Sequence, residues 1–318
     1  MLPTMNRLLQ KLMPYITPTA VVIGVIFSDM LEFFVFLVPW IFAFMTFSGS
    51  LGSNFHNLKN VLRNPLSIVL CLVILHIIMP LIAYGTGLII FPDDMNTVIG
   101  LILSFLIPTG ITSLIWAAIY KGNVVLTLSI ILLDTLLSPL VVPFVLKFLV
   151  GNSIEMNVLD IMNGLIWMIV IPSLLGMLVN QFAKKEVTRT LEANLAPFTK
   201  IGIGTVVAIN SSAVAPYFKN FDLKMTAIAV TVFSLAIVAY FIGFFFGKFM
   251  KMDQGTVVSL TFNSGMRNIS GGAVIAITYF PAAVAVPVIV CMLFQQVLAS
   301  FTGSILTKYY LEPTPEMT

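Results

Sequence analysis

The sequence predicts an all-α integral membrane protein of about ten transmembrane helices, and three observations carry that prediction. Hydrophobic residues make up 59% of the 318 and charged residues 9%, with a mean hydropathy of +1.05, where a soluble domain has roughly a quarter charged. The apolar residues come in runs such as Pro65 to Phe91 and Val124 to Leu146, each long enough to cross a bilayer as a helix of about 20 residues. The connections are short, and none is a Pro-rich, Gly/Ser-rich or charged linker, so one membrane domain over 1–318 is the simplest organisation.

The first span is read at 14–30. Arg7 and Lys11 precede it as in a signal peptide, but Asp29 and Glu32 stand where cleavage would need small residues, so the span is uncleaved. The second runs over 33–52 and the third over 66–91, the latter carrying Cys71 and His76. The fourth, 97–119, is interrupted at Pro108-Thr109-Gly110, and the fifth, 124–148, is mostly apolar but carries Thr127, Asp134 and Ser138. These three share one helical face at spacings of seven and four, so the face points inward. The sixth is 157–181; the seventh, 195–217, holds Asn210-Ser211-Ser212; the eighth is 225–250. The ninth, 256–279, is interrupted at Asn263-Ser264-Gly265 and again at Gly271-Gly272, and the tenth, 284–309, carries Gln295 and Gln296. Hydrogen bonds between helices account for the polar residues of the seventh and tenth, with Asn210 or Gln295 facing the substrate cavity as the alternative. Cys71 and Cys291 lie inside apolar runs and read as packing residues, not as a disulfide or a metal site. Trp40, Trp116 and Trp167 read as core or lipid-facing.

Basic residues favour the cytoplasmic side. With the N-terminus inside, Arg7, Lys11, Lys59, Arg63, Lys121, Lys184, Lys185, Arg189, Lys200, Lys248, Lys251 and Lys308 fall there, and only Lys147, Lys219 and Lys224 fall outside. Asp29, Glu32, Asp93, Asp94, Glu155 and Asp160 join the outer side, and His56 lies in a basic inner loop beside Lys59. Both termini are therefore expected in the cytoplasm, in a bacterial-type plasma membrane.

Cut near residue 153, the chain gives halves of about five spans, 14–150 and 157–309, whose odd number forces opposite orientations. The fourth span of each half is the broken one. Unwound backbone at membrane depth is costly unless a cavity, water or ligand satisfies it. Half-helices restarting after Gly110 and Gly265 would aim partially positive N-termini at the centre, which suits a carboxylate. The plain alternative is a Gly/Pro kink that shapes packing only.

The run Gly110-Ile111-Thr112-Ser113 through Lys121-Gly122-Asn123-Val124 to Leu136-Leu137-Ser138-Pro139-Leu140 resembles the bile acid:sodium symporter family, as do Ile78-Met79-Pro80-Leu81 and Gly265-Met266-Arg267-Asn268. The likeness covers the whole ten-span layout, with its specific motifs in the third, fourth, fifth and ninth spans. It implies two inverted five-helix repeats arranged as a panel and a core, with discontinuous helices 4 and 9 crossing in the core. It also implies alternating-access transport of organic anions, from bile acids to smaller carboxylates, usually with sodium.

Several positions depart from the family pattern. The family's ninth-span glutamate is Asn263 here and its glutamine is Arg267; the third-span glutamine is Leu75; an asparagine and a threonine become Leu114 and Ile131. Ser113, Thr127 and Asn263 remain as oxygen-bearing candidates for sodium, so weak or absent sodium dependence is expected. Arg267 at membrane depth demands a partner, and its guanidinium matches a carboxylate with two parallel hydrogen bonds. Arg267, Asn263, Asn268, Thr112 and Ser113 are the substrate-binding candidates; Asp134, Thr127 and His76 are the ion-coupling candidates. Asp134 is expected either to pair with Arg267 or to take up a proton while Arg267 holds substrate. His76, with no acidic neighbour in sequence, reads first as a packed core residue that could alternatively relay a proton. The expected partners are the bilayer and a small organic anion, with no nucleic acid and no cofactor. An enzyme acting on a lipid-like substrate would show clustered acids at a membrane face, and Asp93-Asp94, the only adjacent acidic pair, reads as a solvated outer loop.

Overall fold

The computed structural model describes residues 2–53, 65–151, 156–219 and 222–311. His56, Lys59, Arg63 and Glu155 lie outside them. The described chain is helical, and its sole strand-like feature is an isolated bridge between Thr109 and Arg267. In order the helices are α1 (Leu2–Ile26), α2 (Ser28–Ser50), α3 (Pro65–Ile90), α4 (Met95–Leu106), α5 (Thr112–Ile119), α6 (Val124–Val150) and α7 (Val158–Phe182). There follow α8 (Lys185–Ala213), α9 (Ala215–Lys219), α10 (Leu223–Phe249), α11 (Gln254–Gly265), α12 (Ile269–Tyr279) and α13 (Ala285–Leu311). Among the described residues six stretches are long and apolar enough to cross a membrane, while Tyr15–Ile26, Met95–Leu106 and Ile269–Tyr279 are shorter apolar helices. The chain is an all-α membrane protein.

The polar residues at the ends of the apolar runs start the helices. Asp94, Asn123, Asn157, Asp222, Asp253 and Asn268 each accept a hydrogen bond from a backbone amide in the first turn of the helix that follows, satisfying groups a helix start leaves unpaired. Asp94 is thus a cap, and it also pairs with Lys224 at 2.8 Å, rather than standing only in a solvated loop. Prolines shape the long helices. Pro80 and Pro172 lack the amide a regular turn would use, and a π-helical turn lies just before each, at Ile74–Ile78 and Ile166–Val170; such local widening lets a membrane helix continue past a proline.

Three boundaries differ from expectation. The first helix begins at Leu2 and ends at Ile26, so Asp29 and Glu32 open the second. The seventh predicted span is α8, which begins at Lys185 because its charged first turns are helical as well. The expected second break at Gly271-Gly272 is absent: α12 runs straight through both. These glycines make room for neighbours, Gly271 for the Phe42 ring and Gly272 for the Ile107 side chain, a packing role typical of small residues between membrane helices.

The short helices sit in the middle. Every residue of α4 from Thr97 and of α11 from Thr256 is buried, as expected of helices surrounded on all sides. Around them α1 packs along α8, α10 along α11 and α13, and the second half of α3 along α4. Trp40, Phe148 and Leu223 project from the outer helices, 75%, 84% and 86% exposed.

Candidate functional site

The two breaks meet. Between α4 and α5 the chain is unwound at Ile107–Ile111, and between α11 and α12 at Met266–Asn268. The Gly110 amide donates to Met266 O at 3.3 Å and the Asn268 amide to Pro108 O at 2.8 Å, so each break satisfies part of the other's unpaired backbone. A ligand is therefore not the only group that stabilises the unwound chain. The backbones approach this closely because Gly110 has no Cβ, which would lie 3.0 Å from Arg267 O.

Side chains brace the crossing. Thr109 Oγ1 donates to Met266 O at 2.9 Å and lies 3.4 Å from Asn263 Oδ1. Ser113 Oγ donates to the same Asn263 oxygen at 3.2 Å, and Asn263 Nδ2 donates to Ser259 O at 2.8 Å. Gln295 Nε2 donates to Arg267 O at 2.8 Å. Asn268 spends its side chain capping α12 through the Gly271 amide, and Thr112 is half-buried at the start of α5. Asn263 and Asn268 are thus occupied in building the crossing, and Ser113 is tied to it through one hydrogen bond.

Arg267 is 2% exposed, and none of Nε, Nη1 and Nη2 has a hydrogen-bond partner among the described residues. Asp134, Cys71, Cys291 and Tyr240 lie within electrostatic range. The expected ion pair with Asp134 is not formed. The Asp134 carboxylate, fully buried, accepts from the Thr109 amide through Oδ2 at 2.6 Å, and its Oδ1 lies 2.5 Å from His76 Nε2. His76 therefore has the acidic neighbour its sequence context lacks. Asp134 turns to the break's amide and the imidazole because both lie within direct reach of its two oxygens.

Of the oxygens that remain for a sodium ion, Thr127 Oγ1 is buried without a partner among the described residues, Ser113 Oγ keeps acceptor capacity, and Asn263 Oδ1 already serves Ser113. Leu75 and Ile131, 0% and 5% exposed, bring none. No group of three or more His, Cys, Asp or Glu stands together among the described residues. Cys71 and Cys291 are free and buried. Sequence reasoning gave no role to Thr109, at the centre of the crossing, although its place between Pro108 and Gly110 is a signal. It assigned Asn210 and Ser211 first to bonds between helices, with a cavity-facing Asn210 as the alternative; Asn210 Oδ1 and Nδ2 and Ser211 Oγ are buried without partners among the described residues on α8, which packs against α12.

The comparisons with known proteins agree with one another. A model of the Sodium Bile acid symporter family matches residues 39–221. The chain is 55% identical over 301 residues to the "Uncharacterized protein YbaS" of Bacillus subtilis (strain 168), covering 95% of this chain and 98% of that one. It is 26% identical over 286 residues to the "Uncharacterized sodium-dependent transporter YocS" of the same organism, covering 86% and 85%. To the "Probable sodium/metabolite cotransporter BASS2, chloroplastic" of Oryza sativa subsp. japonica it is 22% identical over 257 residues, covering 78% and 59%.

Proposed function

Because the chain belongs to the sodium bile acid symporter family and is a membrane transporter rather than an enzyme, we propose that it carries small organic anions, bile-acid-like or smaller carboxylates, by alternating access with weak or absent sodium dependence. The observation that carries this reading is Arg267: a guanidinium buried beside the crossing of two broken helices with no partner for any of its nitrogens. A fixed cation at such depth calls for an anion, and the planar fork fits a carboxylate. The N-termini of α5 and α12 at the same crossing add partial positive charge.

The weak role of sodium rests on chemistry. Arg267 repels a second cation, and Leu75, Leu114 and Ile131 offer no oxygen to one. The sodium named for YocS and BASS2 belongs to those proteins. A conventional sodium-coupled symporter is the second reading, favoured by the buried, unpartnered Thr127 hydroxyl and by Ser113. In our reading the chain forms two inverted repeats, about 14–150 and 157–309, with both termini in the cytoplasm of a bacterial-type plasma membrane. The basic-residue bias and the Bacillus relatives support this placement.

The test is uptake of labelled lactate and labelled taurocholate into proteoliposomes by the wild type, Arg267→Lys and Arg267→Gln. Removing the charge is expected to lower uptake of the carried anion about 100-fold or more, the cost of leaving a buried charged partner unmade, with Arg267→Lys in between. Wild-type protein that moves neither anion, or Arg267→Gln that moves one at the wild-type rate, overturns the reading.

A further inference from the structure

We propose that His76 and Asp134 form the proton-carrying pair of this transporter, so that one proton moves with each monovalent anion and the cycle is electroneutral. The inference rests on the organic-anion reading of Arg267 and adds to it the coupling ion, its binding site and its stoichiometry.

The geometry begins with the two imidazole nitrogens. Nε2 faces Asp134 Oδ1 at 2.5 Å, whereas Nδ1 is buried without a partner among the described residues, and His76 is 5% exposed. With Nε2–H donating to the carboxylate, Nδ1 is the basic nitrogen, and a proton arriving there gives imidazolium against carboxylate with the Nε2–Oδ1 contact kept. Imidazole is the side chain that exchanges a proton near neutrality. His76 also lies in the π-helical turn Ile74–Ile78 ahead of Pro80, a local widening that recurs at functional sites.

The pair is wired to the crossing. Asp134 Oδ2 holds the Thr109 amide, and Thr109 forms the antiparallel bridge with Arg267. A proton on His76 draws the carboxylate's charge toward the imidazole and weakens its hold on the break, at the residue facing the anion-binding arginine. Protonation and anion binding thus act on one stretch of backbone from its two sides.

Charge counting fixes the stoichiometry. Among the described residues the only buried Asp, Glu, Lys, Arg and His side chains are Asp134, Arg267 and His76. With His76 neutral they sum to zero. A monovalent anion at Arg267 brings the core to minus one, and a proton on His76 restores zero; an uncompensated charge at that depth is costly. Titratable groups near the pair and the arginine among the described residues include Cys71 on α3, Tyr240 on α10 and Cys291 on α13. All three are neutral as thiols or phenol at ordinary pH, so none replaces His76 as the compensating group.

Two readouts test the proposal. The chain has two histidines, so full-length protein carrying His56→Gln and ¹⁵N-labelled histidine reports His76 alone by NMR. The His76 ring is expected to change protonation state reversibly as pH is varied, and Asp134→Asn is expected to alter that change. A His76 that keeps one protonation state throughout overturns the proposal. In sodium-free proteoliposomes, an inward gradient of about one pH unit is expected to sustain about tenfold accumulation of lactate or taurocholate, because one proton per anion converts one pH unit into one decade. A potassium–valinomycin potential is expected to leave it unchanged. His76→Gln is expected to lose the pH-driven accumulation. Accumulation that follows the potential, or that survives His76→Gln, overturns proton coupling through this pair. If neither anion is moved or exchanged, the organic-anion reading fails by itself, and the NMR titration still decides whether the pair takes up a proton.

Discussion

The three buried charges account for the site, and they differ in how readily sequence reveals them. Arg267 stands out as the one charged residue of the ninth span, and Asp134 lies on a polar face at helical spacing. Their real partners did not show. His76 and Asp134 are 58 positions apart and Thr109 and Asp134 are 25 apart, and periodicity along one helix says nothing about which residue of another helix it meets. Asp134→Leu is expected to leave the Thr109 amide and His76 Nε2 unpaired, at about 1–3 kcal/mol for each buried polar group orphaned. Asp134→Asn, which keeps an acceptor, should cost less. Thermal unfolding of the purified protein in detergent checks this, and equal midpoints for the two variants would contradict the bracing role.

At the scale of elements, the breaks at Pro108-Thr109-Gly110 and around Gly265 were legible because Pro and Gly punctuate a helix, while Gly271-Gly272 misled because glycine also serves close packing. Gly265 ends α11 against the Tyr240 ring, which a Cβ there would overlap. Gly265→Ala is expected to destabilise by about 1–3 kcal/mol through overpacking, read in the same unfolding assay; an unshifted midpoint would show that the ring yields freely. The cap at Asp94 gives a pH-dependent case. Burial opposes its charge, but hydrogen bonds from Lys224 and Thr97 and the attraction of Lys224 outweigh it and hold the carboxyl below its ordinary 3.8. Because the folded value is depressed, the stabilisation is fully present above the ordinary value and is lost as pH falls through the folded one. Asp94→Ala is therefore expected to cost about 1 kcal/mol at neutral pH, with the gap to wild type narrowing below about pH 4. A gap that stays constant into acid would contradict the ionic share of this cap.

For the whole molecule, bilayer thickness set the reading: a helix that crosses needs a known length, so apolar runs place most helices to within a few residues. What escaped is what the membrane does not dictate, namely the helical charged start of α8 and the mutual pairing of the two breaks. Orientation is testable on the full chain. In a background with Cys71 and Cys291 replaced, a cysteine at Lys308 is expected to react with an impermeant reagent only from the cytoplasmic side, and one at Lys224 only from outside; the reverse pattern would invert the topology. On the proposed reading, Arg267 holds permanently the positive charge that a coupled cation would otherwise bring. The most direct measurement is anion uptake at fixed pH as sodium is replaced by potassium. Uptake that continues undiminished is the predicted result. A steep, saturable dependence on sodium would contradict it and return the ion's site to Ser113, Thr127 and Asn263.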